Sequence, residues 1–65
     1  MTFEEALTAM RYGSTVAVEQ SVTDILVLKI EKGEILELNR EGEWEEAWSI
    51  HTDLILSNDW WIRRD

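Results

Sequence analysis

The sequence predicts an α+β domain: an N-terminal helix packed on a small antiparallel β-meander of four to five strands. Three observations predict it. Apolar residues near the start recur at helical spacing. The middle of the chain alternates β-branched runs with short polar turns. No linker, repeat or low-complexity tract interrupts the 65 residues, so residues 1–65 read as a single domain.

The helix is expected over residues 2–12. Thr2 is placed to cap it, and Glu5, three residues on, completes a capping box. Phe3, Ala6, Leu7 and Met10 fall on one stripe. Glu4 and Glu5 occupy the first turn and Arg11 the last, which suits the helix dipole. Gly13 follows, free to end the helix in a left-handed conformation.

Residues 14–19 are short and β-branched and read as a strand, with 20–23 as a loop. Residues 25–30 are the strongest strand. The first half of that segment is apolar on both faces, which predicts a central strand with the helix on one side. Lys32-Gly33 reads as a tight hairpin turn, and residues 35–38 as the partner strand. Residues 39–42 form a second turn, with Gly42 free to take positive φ. Residues 43–48 read equally as a strand or a helical turn. Residues 49–58 read as a loop holding a short helical turn. Thr52 or Asp53 would cap that turn, and Leu54, Ile55 and Leu56 would enter the core. Residues 59–63 read as a last short strand.

A chain this short hides only about 60 % of its unfolded surface on folding, and small domains commonly need a staple. With no Cys and a single His, disulfides and a self-sufficient zinc site are excluded, and no metal or cofactor is expected. What remains is oligomerisation, or a core built on four Trp, one Tyr and one Phe. A homo-oligomer is therefore expected. The net charge of −8 repels nucleic acid and anionic membranes, so neither is expected as a direct partner. The same charge suits either a solvated acidic surface or attraction to a basic one. Glu4 and Glu5 stand where a signal peptide carries basic residues, and no run of about 18 apolar residues occurs; cytoplasmic residence is expected.

Catalysis has little to stand on. His51 has Ser49 and Asp53 two residues away on either side, too close along one segment to address opposite ring nitrogens. Asp53 and Asp59 lack calcium-loop spacing, and the three Gly form no phosphate loop. No catalytic residue is assigned. The Trp residues say more. In a strand, neighbouring side chains point to opposite faces. Trp60 and Trp61 therefore diverge, one toward the core and the other toward solvent, a ligand or another subunit.

Both ends of the chain resemble the Thoeris anti-defence sponge family. At the start, Met1-Thr2-Phe3-Glu4-Glu5-Ala6-Leu7, Gly13 and Thr15-Val16-Ala17 carry the likeness. At the end it is carried by residues 48–60, with Thr52-Asp53-Leu54 inside and Asp59-Trp60 closing. The likeness covers roughly 30 residues. Where family members carry an Arg and a Trp-Asn-Gly segment, this chain reads Val18-Glu19-Gln20-Ser21-Val22-Thr23. The resemblance implies a small phage-encoded oligomer that sequesters a cyclic nucleotide immune signal in the host cytoplasm, and one branch of the family is linked to CRISPR inhibition. Trp48 or Trp60 would stack the base. Ser49, Thr52 or Asp53 would hydrogen-bond the ligand. Arg11, Arg63 or Arg64 would meet phosphate. The acidic composition supports an alternative: an inhibitor that covers the basic nucleic-acid channel of a CRISPR or restriction enzyme. Its surface would be Glu31, Glu34, Glu37, Glu41, Glu43, Glu45 and Glu46.

Overall fold

A computed structural model describes residues 1–64. One helix packs on one face of a five-stranded antiparallel sheet. Helix α1 spans Phe3–Arg11. Its start is the expected capping box: the Glu5 amide donates to Thr2 Oγ1 at 3.2 Å and the Thr2 amide donates to Glu5 Oε1 at 2.9 Å. Gly13, at φ 95°, ends it. The Ser14 amide reaches the Ala9 carbonyl and the Gly13 amide the Met10 carbonyl, both at 3.0 Å. These paired bonds satisfy carbonyls that the helix end would otherwise leave open. Ala6 and Met10 are buried, and Phe3 and Leu7 pack against the same cluster.

Strands β1 (Thr15–Glu19), β2 (Ile25–Glu31), β3 (Glu34–Leu38) and β4 (Trp44–Glu46) form the meander. Strand β5 (Trp61–Arg63) leaves that pattern and pairs on the far side of β1, giving the order β4-β3-β2-β1-β5. In the β2–β3 hairpin, Lys32 at φ 53° and Gly33 at φ 79° both take positive φ, as a turn matched to the right-handed strand twist requires. The next turn is held by Asn39, whose Oδ1 accepts from the Glu41 and Glu43 amides, each at 2.9 Å. Residues 44–46 resolve to strand, because the Ala47 amide and the Leu38–Trp44 register continue the ladder.

Three expectations are corrected. The short helix α2 (Thr52–Ile55) is preceded by His51 as its cap residue, and no side chain caps it. Of Leu54, Ile55 and Leu56, only Leu54 is buried, since one helical turn aims successive residues about 100° apart and cannot send three inward. Trp60 lies just before β5 rather than in it. Its amide donates to the Met1 carbonyl, and the Met1 amine donates to the Trp60 carbonyl. The two aromatics do diverge: Trp60 is 2 % exposed and Trp61 39 %.

The core between helix and sheet joins Ala6, Met10, Val16, Val18, Leu26, Leu28, Leu54 and Trp60. On the sheet's other face, no helix covers Ala17, Ile25, Val27, Leu38 and Trp61.

Candidate functional site

On the helix side of the sheet, the chain from 49 to 54 overhangs the ends of three strands. Gln20 closes β1, Leu26 opens β2, and Glu37 comes from β3. With Ser49, Ile50, His51, Asp53 and Leu54 they bound a hollow of about 500 Å³, within the size range of small-molecule sites. Leu26 and Leu54 are its buried apolar lining. The polar groups are an amide, a hydroxyl, an imidazole and two carboxylates. His51 Nδ1 lies 3.7 Å from Asp53 Oδ2, with both side chains largely exposed. An imidazole and a carboxylate side by side at the surface, with no nucleophile between them, make a hydrogen-bonding rim rather than a reaction centre.

The residues expected to bind a ligand divide. Ser49 and Asp53 line the hollow. Thr52 begins α2 next to them without lining it. Trp48 precedes Ser49 and is 86 % exposed, so an entire aromatic face is available beside the rim. Trp60 is not available for stacking. Its ring is in the core, 5.2 Å from the Phe3 ring at a 57° tilt, and its indole Nε1 donates to the Leu54 carbonyl. Arg11 sits at the C-terminal end of α1 and does not line the hollow. Gln20 and His51, which do line it, had only loop-like neighbourhoods in the sequence to suggest a role.

The acids of the alternative surface are dealt to different places by the strand register. Glu37 pairs with Leu28 and Glu45 with Glu37, putting both on the helix side. Glu34 pairs with Glu31, and Glu46 with Leu36, on the open side. Glu41 and Glu43 flank the turn that Asn39 organises. The acidic residues therefore make no single plane. They do include two directly opposed like-charge pairs, Glu37–Glu45 and Glu31–Glu34, of a kind that destabilises a sheet.

Among the described residues no group of His, Cys, Asp or Glu is arranged to hold a metal ion, and no helix is long and apolar enough to cross a membrane. No protein-family model, curated protein or solved structure matches the chain.

Proposed function

We propose that the protein works by capture, holding a small hydroxyl- and amine-bearing ligand in the hollow between the strand ends and residues 49–54. The observation that carries this reading is the convergence of Ser49 and Asp53 on a 500 Å³ hollow with an apolar lining, beside the exposed ring of Trp48. A cyclic nucleotide, the ligand class the resemblance implies, fits in a particular way. Glu37 and Asp53 would accept hydrogen bonds from ribose hydroxyls and base amino groups, and Trp48 would stack the base. Its phosphates would face outward, toward cations such as Arg11, Arg63 or Arg64 on a neighbouring copy, because the lining residues include no Lys or Arg. In the cell this is a sponge, removing a signal without altering it.

A second reading is favoured by one observation. Glu37 and Glu45 stand opposite each other across β3 and β4, and Glu37 shares the hollow with Asp53. A basic surface docking there would relieve that repulsion and be drawn in by the net charge of −8. This is the acidic inhibitor of a nucleic-acid-binding enzyme.

Thermal unfolding separates the two. Capture predicts a rise in melting temperature with one or more of a panel of cyclic mono- and dinucleotides, equivalent to about 2.7 kcal/mol at 100 times the dissociation constant. No shift with any nucleotide, together with a salt-sensitive shift on adding an arginine-rich peptide, overturns capture in favour of the basic partner.

A further inference from the structure

The sheet face away from α1 is crossed by one continuous apolar row. Trp61 of β5 pairs with Ala17 of β1, and Ala17 with Val27 of β2. One register step beyond the Leu28–Glu37 pair, Leu38 of β3 lies level with Val27, and Leu38 pairs with Trp44 of β4. The row thus runs across all five strands, with a Trp at each end and the smallest side chain, Ala17, inside. Its middle is concave: Ala17, Ile25, Val27, Leu38, Trp61 and Arg63 enclose a hollow of about 280 Å³. Ile25 beside it is 55 % exposed.

We infer that this row is the interface for a second copy of the chain, joined face to face about a two-fold axis lying along the row. Two observations single out that occupant. The first is area. The chain exposes 4930 Å², whereas a compact monomer of its mass exposes about 4,300 Å². Its radius of gyration, 10.8 Å, is that of a compact chain of this length, about 10.7 Å. The surplus is therefore surface relief and not an extended tail. At about 600 Å² it approaches the roughly 800 Å² that each partner buries in a standard interface.

The second observation is charge. On one side of the row lie Arg63 of β5, Lys29 of β2 and Glu46 of β4; on the other lie Glu19 at the end of β1 and Arg40 just past β3. Rotation about the row exchanges the two sides. It carries Arg63 of one copy over the Glu19 column of the other, and Glu46 over the Arg40 column. The face is thus self-complementary in sign, as an isologous contact requires, despite the acidic total. Lys29 Nζ, 4.4 Å from the Trp44 ring centroid, keeps its charge at the end of the row and its stem along it. Because the acidic hollow lies on the opposite face of the sheet, the dimer leaves two such hollows open to ligand.

Sedimentation equilibrium of the full chain at tens of micromolar is expected to give the mass of two chains. Ile25→Glu removes an apolar side chain that is more than half exposed and outside the core. It is expected to leave the circular dichroism spectrum unchanged while weakening association about tenfold or more, since it buries an unpaired charge at the contact. Glu19→Arg and Arg63→Glu are each expected to weaken association, and the double exchange to recover most of the loss. A monomer mass for the wild-type chain across the whole concentration range overturns the proposal and leaves the face to some other occupant. A dimer indifferent to Ile25→Glu overturns the choice of face. A double exchange no better than the single changes overturns the two-fold arrangement.

Discussion

The indole Nε1 of Trp60 donates a 2.8 Å hydrogen bond to the carbonyl of Leu54, joining the largest core side chain to the turn that overhangs the candidate site. Leu54 is both a core residue and part of the hollow's lining, so the same bond supports fold and site. Trp60→Phe keeps a ring against Phe3 but leaves the Leu54 carbonyl without its donor. A loss of about 1–3 kcal/mol is expected. Trp60→Ala opens a cavity and is expected to cost about 3–5 kcal/mol, enough to unfold much of so small a domain. Urea titration measures both, and a Phe variant as stable as wild type would show the bond to be idle.

The β2–β3 turn makes a second expectation. Lys32 holds φ 53° with a side chain that disfavours it. Asn tolerates that region better, so Lys32→Asn is expected to raise stability by about 0.5–1 kcal/mol. Gly33→Ala, at φ 79°, is expected to lower it by about 1–2 kcal/mol. Nothing lies within 4 Å of a Cβ built at Gly33, so the loss would come from backbone conformation alone. Melting curves of the two variants should move in opposite directions.

Glu37 and Glu45 face each other with like charge. Glu45→Lys turns repulsion into attraction and is expected to stabilise the domain by about 0.2–1 kcal/mol, an effect that added salt reduces. If the hollow serves a basic partner, the same change weakens that partner's binding. Opposite signs for stability and binding would mark the pair as kept for function, and equal signs would argue for a purely structural role.

Acid should act on the first turn of α1. The Thr2 amide, then the Thr2 hydroxyl, hold the Glu5 carboxyl below its ordinary value of 4.5. A carboxyl whose pKa is lower folded than unfolded binds fewer protons in the native state, so stability rises with pH between the two values. Its contribution is present above the unfolded pKa and lost as pH falls through the folded one. In Glu5→Gln that part of the acid limb should flatten, which melting temperatures taken between neutral and strongly acid pH will show. An unchanged acid limb would mean the capping box carries no pH-dependent stability.

Local chemistry made much of this molecule legible in the sequence. The capping box at Thr2 and Glu5, Gly13 at the helix end and Lys32-Gly33 at the hairpin are signals complete within a few residues, and each stands where it was read. The divergence of Trp60 and Trp61 followed from strand geometry alone. Long-range facts were not legible. Nothing near Trp61 announces that β5 crosses to β1 and not to β4, and that choice places Trp61 beside Ala17. The site was half legible. Ser49 and Asp53 stood in a polar loop that reads as a binding segment, but Gln20 and Glu37 reach the hollow only through sheet register. Trp60, which the sequence offers as readily as Trp48, is withdrawn by burial.

The exposed tryptophan gives the sharpest functional test. Trp48 is 86 % exposed, so Trp48→Ala removes little packing and is expected to leave the melting temperature close to that of wild type. If the hollow captures a nucleotide, losing the stack costs about 1–3 kcal/mol, which is a loss of affinity of roughly fivefold to 150-fold. Ser49→Ala should add a smaller loss, about 0.5–1.5 kcal/mol for one hydrogen bond. Glu45→Lys, outside the hollow, should leave nucleotide affinity unchanged or slightly raised. Under the basic-partner reading the order reverses. Glu37→Gln and Glu45→Lys then slow association, salt weakens it over a screening length of about 8 Å at physiological ionic strength, and Ser49→Ala does nothing. Calorimetric titration of these four variants, each first shown to be folded, decides between them. Full nucleotide affinity in a folded Trp48→Ala chain would remove the stacking residue from the capture site, and binding indifferent to both salt and the Glu changes would remove the basic partner.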